Sequence, residues 1–433
     1  FVFAALMWIT EVIPDWVTSL IVILLSLLTI SDHSVSFMAT TGDESLFVSY
    51  RNIMGTMADP VIMLFLGGFV LAIVCDKYGI DNVIARKVLG RFGNKPQLVL
   101  LGFLVIISTF SMFMSNTATA AMFLTFLSPI LANLPKEEKG KTALVLAIPL
   151  ASDLGGIGTP IGTPPNATVK GALENCNAAI SFGDWTLRMI PFVIIMILIA
   201  WVVLMLLFPF KTKEINLDIK KTDRHVTWRT HVVWAVLYVT IILWVTEQLT
   251  GINANIVALA PLVIFSCTGI FDEDDIKKIN WSILWLVAGG LALGTALDGT
   301  GLAELLIKAI DFSSMNIVCI FIVAGSICCF MSNFISNSAT AALLIPIMIA
   351  FSQGLIVSDL ADDFNNMGGT KALNIFVSVC ASLAMVLPVS TPPNSIAAST
   401  GMVKTRDMAK TALIIGVLGF VLAFFWLTVF FPF

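Results

Sequence analysis

Four short polar motifs stand inside otherwise apolar runs: Ser115-Asn116-Thr117, Thr163-Pro164-Pro165-Asn166, Ser336-Asn337-Ser338 and Thr391-Pro392-Pro393-Asn394. Ser and Thr hydroxyls and the Asn amide can donate to carboxylate oxygens, while side-chain and exposed carbonyl oxygens can ligate a hard cation. Two consecutive prolines remove two backbone donors and push the preceding residue out of helical geometry. Each Thr-Pro-Pro-Asn segment therefore reads as an interrupted helix that restarts at its proline. A polar tip and a Pro-Pro restart both present a helix N-terminus with unpaired N–H groups. At about half an elementary charge per end, four such ends sum nominally to roughly +2, the magnitude of a dianion. The chemistry is reversible anion binding without Lys or Arg; only Lys170 lies close, four residues past Asn166. Small residues packing closely and prolines kinking helices would explain one such motif. Four motifs paired along one chain favour a site.

The elements that must position these groups follow from charge. Positions 96 to 135 and 312 to 358 contain no Asp, Glu, Lys, Arg or His. Each stretch is about twice the roughly 20 residues of one membrane span, with a polar centre that a single long helix would leave unsatisfied in lipid. The spacing predicts two re-entrant helix hairpins with Ser-Asn tips. The motifs also recur: Trp8-Ile9-Thr10-Glu11 as Trp244-Val245-Thr246-Glu247, Gly67-Gly68 with Asp76 as Gly289-Gly290 with Asp298, and each polar motif as its partner. Matches in one order at nearly one spacing mark two repeats, joined by a charged linker. Placing that linker in the cytoplasm collects most of the 24 Lys and Arg residues inside. The linker then joins two inside ends, so the repeats are inverted.

Composition sets the setting. Of 433 residues, 58% are hydrophobic and 12% charged, and the mean hydropathy is +0.96. This excludes an ordinary soluble enzyme and implies on the order of ten bilayer crossings. A net charge of -4 with charges confined to short loops indicates no nucleic-acid face. The seven cysteines lack Cys-x-x-Cys spacing and read as reduced, buried small hydrophobes. His33, His225 and His231 lie in polar connections, so no His-based metal site is expected. The chain opens on Phe1 rather than Met, and a further segment ahead of it is expected.

The fold class expected is an all-α polytopic membrane protein with an inverted repeat, two re-entrant hairpins and two broken helices. Residues 1–95 form scaffold helices of the first repeat, and 96–209 its hairpin, broken helix and following helix. A cytoplasmic linker spans 210–230, scaffold helices of the second repeat 231–311, and its hairpin, broken helix and last helix 312–433. Asp153, whose counterpart by simple offset is Ala381, either hydrogen-bonds unwound backbone or serves as a protonatable coupling group. Asp76 and Asp298 precede Gly79 and Gly301 and suggest bends at the ends of crossings; Glu11 and Glu247 read as interfacial or scaffold residues.

The motifs 115–117, 336–338, 163–165 and 391–393 resemble the paired signatures of the divalent anion/sodium symporters, the INDY-type di- and tricarboxylate carriers, over essentially the whole chain. The resemblance implies a homodimer of elevator-type transporters, each protomer having a scaffold domain and a mobile transport domain. It implies a first sodium site at Ser111, Ser115, Asn116 and Gly162. The second would use Ser332, Ile335, Asn337 and Ser390, with Ile335 and Ser390 acting through backbone oxygen. Substrate carboxylates would meet Ser115, Asn116, Thr117, Thr163 and Pro164 from one half, and Ser336, Asn337, Ser338, Thr391 and Pro392 from the other. Ser338 stands where that family usually has Thr, which keeps the hydroxyl but loosens the fit.

The function expected is sodium symport of C4 dicarboxylates such as succinate, malate or fumarate across the plasma (inner) membrane. Sodium is then the coupling ion, and no organic cofactor is needed. A sodium-independent exchanger, and citrate or sulfate as cargo, stay open. An open channel conflicts with closed hairpins, and an intramembrane hydrolase would need a nucleophile with a nearby base, which these serines lack.

Overall fold

The computed structural model describes residues 1–35, 47–135, 137–215, 227–303, 305 and 316–432. The centre of the linker read from the sequence, 216–226, and Lys136 lie outside the described residues. The described chain is nearly all helix, with a single isolated β-bridge between Ser31 and Val48.

In the first half, α1 (Val2–Thr10), α2 (Asp15–Thr29), α3 (Tyr50–Gly55), α4 (Pro60–Tyr78) and α5 (Ile80–Leu89) precede a helical hairpin. The hairpin is α6 (Pro96–Ser111) and α7 (Asn116–Asn133); then come α8 (Gly140–Gly156), α9 (Pro164–Asn175) and the long α10 (Phe182–Leu207). The second half opens with α11 (Trp228–Val245), the short α12 (Glu247–Thr250) and α13 (Ala254–Val257), α14 (Leu259–Cys267), α15 (Glu273–Ile276) and α16 (Trp281–Gly299). Its hairpin is α17 (Ile317–Phe334) and α18 (Asn337–Ile356), followed by α19 (Ala361–Asn366), α20 (Gly369–Ser382), α21 (Pro392–Ser399) and α22 (Thr405–Phe425).

Both hairpins and both breaks stand where the sequence places them. Ser115 and Ser336 cap α7 and α18, their Oγ atoms accepting from Ala118 N and Ala339 N at 3.2 Å each. α9 and α21 restart at Pro164 and Pro392, where a missing N–H breaks no helical bond. Gly79 and Gly301 take φ of +66° and +67° and donate to Asp76 O and Asp298 O, the bends expected there. Among the described residues, seven helices are long and apolar enough to cross a membrane, and three shorter apolar helices accompany them. Exposed Leu, Ile and Val along α10, α14 and α22 give these helices apolar outer faces, as an integral multi-pass membrane protein requires.

The larger core joins both hairpins, both broken helices, α10 and α22. A second core joins α2, α4, α11, α13, α14 and α16. A small third cluster, including Trp8, Leu286, Ile335 and Ala342, lies where α1, α2 and α16 meet the second hairpin. The glycine pairs serve this layering. A methyl at Gly67 would collide with the Ala258 carbonyl and one at Gly289 with Ser19, whereas a methyl at Gly68 would lie 3.2 Å from Ile161 and one at Gly290 3.2 Å from Ala342. In each pair the first glycine allows close approach within the second core, and the second abuts a tip or break element.

All seven cysteines are unpaired, but only Cys75, Cys328 and Cys380 are buried; Cys176 and Cys329 are half-buried, and Cys267 and Cys319 are exposed on α14 and α17. Their apolar surroundings in sequence mark an apolar outer surface as readily as an interior.

Candidate functional site

Each tip is built as a small hydrogen-bonded frame. In the first half, Ser111 Oγ lies 2.7 Å from Asn116 Oδ1 and 2.6 Å from the Ser152 carbonyl. In the second, Ser332 Oγ lies 2.7 Å from Asn337 Oδ1 and 3.0 Å from the Ala381 carbonyl. The two frames have matching hydrogen-bond partners, which equates Ser152 with Ala381. Asp153 therefore corresponds to Ser382, not to Ala381, because the second break is one residue shorter than the first.

Each break is held open by the asparagine of its Thr-Pro-Pro-Asn motif. Asn166 Nδ2 donates to Gly156 O at 3.0 Å and Thr159 O at 2.8 Å. Asn394 Nδ2 donates to Met385 O at 2.7 Å and Leu387 O at 2.9 Å. These amides satisfy carbonyls that unwinding frees. Ser378 Oγ donates to Asn166 Oδ1 at 2.9 Å and so binds the first break to α20. The motif's fourth residue thus acts on backbone, which corrects the expectation that Asp153 does so. Asp153 is instead fully buried between side chains: its Oδ1 accepts from Asn116 Nδ2 at 3.1 Å and its Oδ2 from Thr391 Oγ1 at 2.9 Å.

The two halves converge on one cavity of about 330 Å³. Its lining includes Ser115, Asn116, Thr117, Thr163 and Pro164, and Ser336, Asn337, Ser338, Thr391 and Pro392, all ten residues singled out for substrate. The rest of the wall includes Asp15 and Asp153, the apolar Trp16, Phe65, Phe69 and Leu286, and Asn280 and Ser282; no Lys or Arg is among the described lining residues. Lys170 lies outside the lining, buried and engaged by Glu174.

The residues singled out for cations sit at and behind the tips. Gly162, Asn337 and Ser390 line the cavity, while Ser111 and Ser332 are fully buried behind it and Ile335 is buried at the second tip. A methyl placed on Gly156 would lie 2.8 Å from Asn116 Oδ1 and 3.0 Å from Gly162 O, so these two oxygens converge at Gly156. Ser152, whose carbonyl belongs to the first frame, and Ser382, which follows the second, carry buried hydroxyls with no partner among the described residues. Neutral hydroxyl, amide and carbonyl oxygens form a donor set suited to a hard monovalent cation.

The sequence reading did not single out Asp15. Ser336 Oγ donates to Asp15 Oδ2 at 2.9 Å, and Ser336 N lies 3.3 Å from Glu11 Oε1. Both carboxylates come from the start of the chain and meet the N-terminus of α18, a favourable position for negative charge. Glu247, the repeat partner of Glu11, does scaffold work instead, accepting from Phe182 N at 2.8 Å and Ala254 N at 3.1 Å.

The cavity adjoins a larger one. It shares Phe69, Ser115 and Asn280 with a vestibule of about 800 Å³ that Asp76, Arg86 and Lys278 also line. A third cavity of about 430 Å³, lined by Asp59 and Asp298 at the opposite ends of α4 and α16, shares no lining residue with it.

Comparison with known proteins bears on this architecture. An uncharacterized transporter of Schizosaccharomyces pombe is 30% identical over 97% of this chain, which spans 48%, about half, of that relative's length. The sodium-dependent dicarboxylate transporter SdcS of Staphylococcus saprophyticus is 28% identical over 96% of this chain and 82% of its own. The crystal structure of the Alcanivorax borkumensis YdaH transporter has a similar fold at 12% identity, with a TM-score of 0.63 over 96% of this chain and 99% of that one. The family model described as citrate transporter matches residues 5–368, from the first Trp-x-Thr-Glu motif through the second hairpin. A doubled tip-and-break architecture around one polar cavity, carried on that match, makes this chain a member of the CitMHS citrate transporter family.

Proposed function

We propose that the protein is a secondary active carrier that moves C4 dicarboxylates such as succinate, malate and fumarate across the plasma membrane together with sodium. The observation that carries this reading is the convergence of all ten tip and break residues on one cavity whose described lining holds two Asp but no Lys or Arg. A dianion there meets four helix ends and a ring of hydroxyl and amide donors. Two nearby carboxylates, Asp15 and Asp153, add negative charge that cations must offset, because uncompensated charge in the bilayer interior is costly. The paired Ser-Asn frames and their orphan hydroxyls supply neutral oxygens for such cations. At about 330 Å³ the cavity is near the lower end of the roughly 300–1,000 Å³ of ligand pockets, which favours a small acid. The name of the SdcS relative, a sodium-dependent dicarboxylate transporter, supports the same cargo and coupling.

An adjoining vestibule fits an alternating-access carrier. The vestibule is lined by Arg86 and Lys278, which the Lys and Arg distribution assigns to the cytoplasm, and this supports reading the structure as an inward-facing state. In this reading the larger core is the unit that moves as an elevator, the second core is its scaffold, and the scaffold docks on a second copy as a homodimer.

Uptake of labelled succinate into proteoliposomes, with and without an inward sodium gradient, tests the proposal. The gradient should drive accumulation, and excess unlabelled malate should compete better than citrate or sulfate. Asn116→Ala and Asn337→Ala should each abolish uptake while the protein stays folded. Equal rates with and without the gradient would remove the sodium coupling, and preferential competition by citrate would move the cargo to a tricarboxylate.

A further inference from the structure

The two tip frames repeat the same bonds from a Ser hydroxyl to an Asn side chain and a backbone carbonyl, but the residue that follows the carbonyl differs. Where the second half has Ser382, the first has the carboxylate of Asp153. That carboxylate is fully buried, and among the described residues no ion pair reaches it. Its partners are neutral donors, the Asn116 amide on one oxygen and the Thr391 hydroxyl on the other. Thr391 Oγ1 accepts the N–H of Asn394 at 3.3 Å, so its own proton is directed at Asp153. Both oxygens accept, which suits a charged carboxylate. A buried charge matched only by dipoles is costly unless a cation sits beside it.

The Asn116 amide supplies the direction. Its Nδ2 is committed to Asp153 and its Oδ1 faces Ser111 Oγ at 2.7 Å, the side on which Gly162 O converges at Gly156. Freed from Asp153, the amide could rotate and turn NH2 toward the place where a cation needs oxygen.

We propose that Asp153 is a positioning and charge-supplying residue of the first cation site: it fixes Asn116 Oδ1 toward the ion and gives this site a negative charge that the second site lacks. The first site is therefore the tighter of the two for sodium. Through Thr391 the same carboxylate joins the first cation site to the second half's substrate-binding break, so filling one organises the other. The inference rests on the sodium-coupled reading above.

The test measures binding rather than transport. The purified full chain is heated without substrate across a sodium chloride series, with choline chloride holding ionic strength constant. The wild type should be stabilised by sodium and not by choline, in a high- and a low-affinity phase. Asp153→Asn and Asp153→Ser should shift the high-affinity phase to about a hundredfold more sodium or beyond, the scale for losing a unit charge about 4–6 Å away at an effective dielectric of about 20. Ser332→Ala, in the other half, should remove the low-affinity phase and leave the high-affinity one in place. Wild-type stabilisation with unchanged midpoints in both Asp153 variants would overturn this inference while leaving sodium coupling intact. No sodium-specific stabilisation of the wild type would instead defeat the sodium reading itself. If neither Asp153 variant folds, although Ser is the residue the second half carries in the same frame, the carboxylate's role is structural and the inference is overturned.

Discussion

Asn166 and Asn394 each close two backbone carbonyls that a helix break would otherwise leave bare. Alanine at either position removes about two hydrogen bonds and strands buried acceptors, a loss of about 2–4 kcal/mol. Both variants should therefore melt well below the wild type in a detergent thermal-shift series, whereas Thr163→Ala, whose side chain caps nothing, should melt near it. Asp15 acts on the cavity instead. Its carboxylate holds the Ser336 hydroxyl at 2.9 Å, a donor assigned to substrate, so an incoming carboxylate must displace it against like charge. Asp15→Asn should lower the KM for succinate by roughly fivefold, the order expected from removing one partly screened charge. An unchanged or raised KM would mean that Asp15 only anchors α18. Neither role was legible beforehand. The two asparagines carried no assigned role because their spacing shows only that they follow Pro-Pro, and Asp15 meets Ser336 across 321 residues of sequence.

At the level of elements, the hairpins and breaks could be read because each has a local cause. A charge-free run with a polar centre must fold back or bury its centre, and Pro-Pro must interrupt and restart a helix. The frames behind the tips could not be read, since Ser111 meets Ser152 and Ser332 meets Ala381 only through packing of separate helices. The same holds for the joint that ties the first hairpin to the end of α10. Glu138 accepts from Lys211 N at 3.0 Å, Thr212 N at 2.9 Å and Thr212 Oγ1 at 2.6 Å. Burial works against its charge, but hydrogen bonds from the Thr212 hydroxyl and the Lys211, Gly140 and Thr212 N–H groups prevail and hold the carboxyl below its ordinary value. A lowered value in the folded state means that the folded state binds the proton less readily than the unfolded one. The joint's stabilisation is thus complete above the ordinary carboxylate value, near pH 4.3, and is lost as pH falls through the lowered one. Melting temperatures taken from neutral to acid pH should show the wild type and Glu138→Gln converging in acid, with the variant less stable at neutral pH. A constant difference across the range would rule this out.

Taken whole, the molecule sets two large cores against each other across a seam of small residues and one polar cavity. Elements distant in sequence combine in each core: the larger takes in both hairpins and breaks, and the second gathers helices from both halves. In the proposed elevator one body would slide on the other, and Asp15 and Glu11 hold the second tip to the first helices here. The repeat itself was legible at this scale because duplicated motifs need no structural knowledge to match. Its asymmetries, Asp153 opposite Ser382 and Asp15 on one tip only, emerged with the coordinates. A density map of the protein with succinate and sodium is the most direct measurement. It should show one elongated anion bridging Ser115–Thr117 and Ser336–Ser338, with Asp15 withdrawn from Ser336 and density for a cation beside Asn116. Anion density confined to the Arg86 and Lys278 vestibule, with the cavity between the tips filled only by water, would contradict it.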